Sequence, residues 1–418
     1  MIGKQVKNGR KKVYEVKGRR MLNIIMAVVF PVLAAALMAC NSKQGNGGKT
    51  EVEFGTIYSY SDYGLVYNRE NAYLCDADTG ENIVICSKPD CRHGSSKECD
   101  GNIGVMSERL FLTDKYEVYV RKPAMEGDMS KGFNDVEIWR ADLDGRNRKK
   151  ISTIKNVQVS LSAAYADGKL AYCYRESNAD EVSPDGMFEE LDVYRTGVYL
   201  IDVEEGDADL VDSREGYDVS MTNAIMSDGK LCYLLTYYDA ERDFEWGIDI
   251  DWDREYAYTA EHQYKELYCY DIATGENTLI WSGTNQQVFQ CGKGYIICSG
   301  GRSLKGYLCV ITGGKKQEIK DEQYVSNILS SGKYTGAYIY DDNIYLSYGE
   351  KFTVYSIATG ENHPLAEGKL DDKELRNIEA ITGDRLYYSS MEGGEYHIYC
   401  VERDLFFNGD ISGAVKMW

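Results

Sequence analysis

From about residue 60 to the C-terminus, apolar and polar residues alternate in short runs, and each run is opened by a turn. The opening phrase is a turn followed by Leu or Ile and an aromatic residue. It is clearest at Asp167-Gly168-Lys169-Leu170-Ala171-Tyr172, Asp228-Gly229-Lys230-Leu231-Cys232-Tyr233, Asp341-Asp342-Asn343-Ile344-Tyr345 and Gly383-Asp384-Arg385-Leu386-Tyr387-Tyr388. Weaker copies at residues 63–67, 107–111 and 293–297 bring the number to seven. Most copies lead into a second strand that ends in its own turn, as in Asp76-Ala77-Asp78-Thr79-Gly80-Glu81, Asp271-Ile272-Ala273-Thr274-Gly275-Glu276 and Ser356-Ile357-Ala358-Thr359-Gly360-Glu361. Asp-Gly and related pairs permit the positive φ of tight hairpin turns, while aromatic and β-branched residues fill half-buried pleated strands.

Measured between Leu65, Leu110, Leu170, Leu231, Tyr295, Ile344 and Leu386, the copies lie 42 to 64 residues apart. That period, stretched by insertions, suits one four-stranded propeller blade. A single blade cannot bury both of its faces, so the copies are expected to close into a ring. The expected fold is therefore all-β, a seven-bladed β-propeller over residues 51–418, with six or eight blades as alternatives. The segment near Glu51 to Tyr60 is expected to complete the last blade. No helical periodicity competes after residue 50. A β-sandwich would not repeat one strand-turn phrase seven times.

The N-terminus is of another kind. Residues 4 to 20 carry eight Lys or Arg against the single acid Glu15, and no charge occurs from Met21 to Ala39. This is a basic region followed by an apolar one, as in a secretory signal. It ends in Leu37-Met38-Ala39-Cys40, which resembles a lipobox. Cys40 is then the lipidation site and first residue of the mature chain. Residues 40–50 form a Gly-rich polar tether. Pro31, Asn23 and the small residues before Cys40 weigh against a membrane-spanning helix. The expected location is the outer face of the cytoplasmic membrane, lipid-anchored in the cell envelope.

Composition narrows the partners. The net charge is −20, and removal of the basic leader makes the exported part more acidic still. Such a field repels polyphosphates, so no nucleic-acid partner is expected. A monomer is expected, with a glycan or protein as partner. The 35 Tyr and 41 Gly against 5 Pro fit a strand-rich and turn-rich chain.

The lipobox at Cys40, the Tyr-Asp-x-x-Thr-Gly-Glu style of repeat and the Cys-rich insert beginning at Cys86 together resemble the propeller lipoproteins of gut Firmicutes, whose repeats are similar to those of TolB-like and DUF5050-type propellers. The resemblance covers most of the mature chain. It implies a fold and a location, and brings no catalytic residues with it.

One segment is dense in chemistry: Cys86-Ser87-Lys88-Pro89-Asp90-Cys91-Arg92-His93-Gly94-Ser95-Ser96-Lys97-Glu98-Cys99. Cys86, Cys91, His93 and Cys99 could ligate structural zinc as a Cys₃His set. One residue between Cys91 and His93 is tight for two ligands of one ion, and an exported setting favours a disulfide among the three cysteines. No other cofactor is expected. Cys173, Cys232, Cys269, Cys298, Cys309 and Cys400 lie in apolar strand phrases and read as small buried hydrophobes.

Two insertions stretch the period. Residues 180–194 are acidic and read as a solvated loop. Residues 243–258 mix Trp246, Trp252, Tyr256 and Tyr258 with Asp249, Asp251 and Asp253, the residue types a sugar or basic peptide meets at a binding surface. The three aspartates also offer oxygens to a hard cation, without the glycine and closing Glu of an EF-hand loop. The plainer alternative is an aromatic plug packing on its own blade. Only His93, His262, His363 and His397 occur, and no Gly-x-Ser-x-Gly, His-Glu-x-x-His or phosphate loop is present. The sequence thus favours a binding or scaffolding module over an enzyme. The rival is a carbohydrate-active glycosidase or lyase with paired carboxylates in the propeller channel.

Overall fold

The computed structural model describes residues 58–68, 71–93, 99–103, 107–122, 134–157, 159–177, 193–240, 252–299, 308–319, 334–348, 351–370 and 375–417. The expected signal, Cys40 and the tether lie outside these residues, as do Trp246, Asp249, Asp251 and most of the insertion at 180–194. Among the described residues no helix is long and apolar enough to cross a membrane. The chain divides into two units, one comprising Met1–Thr56 with Arg242–Tyr258 and the other Ile57–Glu241 with Thr259–Trp418.

The second unit is all-β in a β-propeller arrangement. Among the described residues, five antiparallel sheets of four strands each lie within residues 58–84, 107–157, 286–319, 334–364 and 375–416, and one seven-stranded sheet spans 159–284. Neighbours in sequence are neighbours in each sheet, the meander that hairpin turns between successive strands dictate. The number of separate four-stranded sheets is thus five and not the expected seven. The physical reason is one strand, Ala208–Ser227, whose 20 residues pair with Val193–Asp202 through its first part and with Lys230–Tyr238 through its second. It bends at Asp218 (φ 48°) and Asn223 (φ 54°), where its pairing with Lys230–Tyr238 shifts register. Two repeat units are thereby joined in one sheet.

Apolar cores fill the joints between successive sheets. Val66, Ile85, Leu110 and Tyr119 meet between the first and second sheets. Val118, Ile138, Leu170 and Ile201 meet between the second and third. At the other end, Phe352, Leu375, Leu386 and Phe406 do the same between the fifth and sixth.

The ring closes where the last sheet reaches the first. Tyr387 donates to the Ser61 carbonyl at 2.8 Å, its ring lies 4.9 Å from that of Tyr60, and the Cys75 thiol reaches the Met417 carbonyl at 3.2 Å. Gly80 sits against the same end of the chain: a Cβ there would lie 2.7 Å from the Lys416 carbonyl oxygen. Tyr58–Ser61 pairs with Gly64–Asn68 in the first sheet, and residues 51–57 of the segment expected to complete the last blade lie outside the described residues.

The recurring Asp-x-x-Thr-Gly-Glu phrase is explained by its geometry. Asp76 Oδ1 accepts from the amides of Asp78 and Thr79 and from the Thr79 hydroxyl, while Gly80, at φ 69°, returns its amide to the Asp76 carbonyl at 2.8 Å. Asp271 builds the same turn with Ala273, Thr274 and Gly275. The side-chain oxygen replaces a strand partner for amides that the turn would otherwise leave unpaired.

Candidate functional site

The insertion that interrupts the period contains a helix, Trp252–His262, against the expectation that no helix occurs after residue 50. Its signal is present in the sequence. No Gly or Pro interrupts it, Asp253 and Glu255 sit in its first turn where the helix dipole favours acids, and Glu255, Tyr258 and His262 recur at helical spacing. The alternating Asp-Ile-Asp-Trp-Asp that precedes these residues masks that spacing in a linear reading.

Helical geometry splits the expected binding residues into two groups. Trp252 and Tyr256, one turn apart, are each 56% exposed with ring centroids 6.4 Å from one another, and Asp253 is exposed beside them. Tyr258 and Glu255 are buried on the other side. Tyr258 is therefore withdrawn from the exposed face, and Trp252, Asp253 and Tyr256 remain on it. At the last residue of the helix, His262 Nδ1 meets Asp239 Oδ1 at 2.9 Å, and the His262 carbonyl accepts the Asp239 amide. Asp239 and His262 thereby link the ends of two adjacent paired strands, Lys230–Tyr238 and Gln263–Asp271.

The structure also gathers Cys86, Cys91, His93 and Cys99, whose donor atoms all lie within 4.8 Å of one another. The three thiols are unpaired, which replaces the disulfide that the sequence favoured at this loop. The narrow spacing of Cys91 and His93 is accommodated by the backbone: His93 adopts φ 49°, and its carbonyl accepts from the buried Asn71 amide at 2.8 Å. Burial acts to raise the Cys86 thiol, but the backbone amides of Lys88, Asp100 and Gly101 outweigh it and hold the thiol below its ordinary range. Burial pushes Cys99 up to about 11. Ser87 and Lys88 bind the Asp100 carboxylate at 2.6 and 3.0 Å, stitching the two ends of the loop together.

Cys232 and Cys269, expected as buried hydrophobes, are directly opposed on neighbouring strands and joined in a disulfide. Cys173, Cys298, Cys309 and Cys400 are buried, as their apolar surroundings suggest.

Two open cavities bear on catalysis. One, of about 650 Å³, contains Glu176 and Glu215, and both carboxylates are engaged by Arg195 at 3.2 and 3.5 Å. The other, of about 410 Å³, contains Glu379, which accepts from the Tyr396 hydroxyl at 2.7 Å. The sequence reading passed over Glu117, a wholly buried carboxylate on Tyr116–Arg121 that burial pushes up to about 8 against the pull of Arg148.

No family model matches the sequence, and no curated protein is detectably similar to it. Among solved structures the chain is similar to the β-propeller domain of the trilobed protease of Pyrococcus furiosus, at 12% identity and a TM-score of 0.48 over 87% of this chain and 98% of that one. It is also similar to the acylaminoacyl peptidase of Pyrococcus horikoshii, at 13% identity and a TM-score of 0.43 over 71% of this chain and 45% of that one, and so spans less than half the length of that enzyme. TolB of Acinetobacter baumannii gives 16% identity and a TM-score of 0.31 over 85% and 77% of the two chains. The placing among gut Firmicutes lipoproteins has no counterpart in these matches.

Proposed function

We propose that the protein is a lipid-anchored binding module on the outer face of the cytoplasmic membrane, which offers Trp252 and Tyr256 to a glycan. The observation that carries this reading is the pair itself: two large aromatic side chains, more than half exposed, one helical turn apart. Exposed aromatic rings at fixed spacing are costly to leave in water and are typical anchors of recognition surfaces. Pyranose rings present an apolar face that fits such rings, and the neighbouring Asp253 offers an acceptor for their hydroxyls. The Cys232–Cys269 disulfide supports export, because such bonds persist in oxidising compartments.

The test is a glycan array probed with the full-length protein and with Trp252→Ala and Tyr256→Ala. Each substitution is expected to weaken binding by about 1–3 kcal/mol, roughly five- to 150-fold. Unchanged binding by both variants would remove the proposal. Retention of the anchor is checked separately: Cys40→Ser is expected to release the protein from membranes.

A further inference from the structure

We propose that Cys86, Cys91, His93 and Cys99 form a structural zinc site that clamps the connection between the first and second sheets. The first argument is one of distance. Zn–S bonds of about 2.3 Å and Zn–N bonds of about 2.0–2.1 Å place tetrahedral ligands about 3.5–3.8 Å apart. Cys99 Sγ and His93 Nδ1 are 3.8 Å apart, and all four donors lie within 4.8 Å of one another, with no sulfur bonded to another.

The second argument comes from what the sulfurs accept. Cys91 Sγ receives the amide of His93 at 3.4 Å. Cys86 receives the amide of Lys88, and Cys99 that of Gly101. Each thiol is thus met by the N–H two residues further on. Donors aimed at sulfur offset the negative charge that three thiolates bring to one ion, and they orient the ligands as partners around a metal site do. A disulfide has no such charge to offset.

The third is location. Ile85 follows the first sheet and Ile103 precedes the second in the chain, and both side chains belong to the core between those sheets. Cys99 itself is 1% exposed. Four protein ligands close the coordination shell, so the ion would serve folding and not catalysis. The ligand type and number favour zinc over calcium or magnesium, which prefer oxygen.

The experiment is metal analysis of the full-length protein, purified without chelator from zinc-supplemented cells, for zinc, iron and copper together. One zinc per chain is expected, with three sulfurs and one nitrogen around it by X-ray absorption at the zinc edge. In Cys91→Ser and in His93→Ala the zinc content should fall at least about tenfold. Spectroscopy on the unmodified protein keeps the test independent of whether either variant folds. The proposal fails if the protein carries no zinc, if the ligand set differs, if Cys91→Ser keeps a full equivalent, or if a non-reducing peptide map joins any two of Cys86, Cys91 and Cys99.

Discussion

Tyr387 donates its phenolic hydrogen to the carbonyl oxygen of Ser61, 326 residues earlier in the chain, at a distance of 2.8 Å. Both groups are buried where the last sheet meets the first. Among the described residues no strand is exchanged across the joint, and this hydrogen bond and the Tyr60–Tyr387 ring contact are specific links across it. Tyr387→Phe keeps the ring and leaves the Ser61 carbonyl short of a donor. It is expected to lower stability by about 1–3 kcal/mol, read as a shift in the urea midpoint. Tyr295→Phe should do the same, since its hydroxyl reaches the carbonyls of Asn223 and Cys232 at 2.5 and 2.8 Å across another joint. A change below about 0.5 kcal/mol in both would show that apolar packing alone closes the ring.

Glu117 makes a second prediction, about pH. Neither of its carboxylate oxygens has a hydrogen-bond partner, and burial raises it to about 8 despite the opposing pull of Arg148. An unfolded Glu releases its proton near 4.3. Between those values the folded state keeps a proton that the unfolded state has lost. Stability therefore falls as pH rises from about 4 to 8 and levels off above, by roughly 3–5 kcal/mol from this group. Glu117→Gln should flatten that slope and leave the variant more stable than the parent at pH 9. Parallel pH profiles for the two proteins in urea unfolding would contradict this.

These joints also mark what a linear reading can reach. The strand-turn phrase identifies the hairpins because each needs only local chemistry: Asp76 and Asp271 bind amides two and three residues ahead. The shared strand Ala208–Ser227 was not legible, since its bends at Asp218 and Asn223 lie in residues that read as ordinary strand. The Cys232–Cys269 bond was hidden for a related reason. Only the register between two strands places those residues opposite each other, and register is a tertiary property. The Cys₃His cluster was visible as composition, but its compatibility with one ion depends on the left-handed backbone of His93. Of the candidate binding face, the residue types were legible and the helical phase that separates Trp252 from Tyr258 was not.

The Asp turns predict the acid limb of stability. Hydrogen bonds lower the carboxyl of each: from the Thr79 side chain and then the turn amides for Asp76, from the Glu205 amide for Asp202, and from the Thr274 amide for Asp271. A carboxyl lowered on folding stabilises the protein above its unfolded value, near 3.9, and that contribution is lost as pH falls through the folded value. Asn at these positions keeps the accepting oxygen and removes the titration. The triple variant Asp76→Asn, Asp202→Asn, Asp271→Asn should therefore show a shallower loss of stability between pH 4 and 2 than the parent. An unaltered acid limb would place the responsible carboxylates elsewhere.

The last prediction concerns Cys232 and Cys269, which close a loop with a sequence separation of 37 between two strands already paired residue for residue. A crosslink of that length restricts the unfolded chain and is worth about 2–4 kcal/mol. Both cysteines sit in the core that Leu267, Trp281 and Ile297 build between the seven-stranded sheet and the next, so reductant reaches them only when that joint opens. Protein isolated from its native cells and digested without reductant should yield one peptide pair joined through Cys232 and Cys269. Thiol treatment of the folded protein should leave the pair intact until denaturant is added, and should then lower the unfolding midpoint. Separate peptides in the unreduced digest would remove both this bond and the support it lends to an oxidising location, while leaving the exposed Trp252–Tyr256 face to be judged by its own binding test.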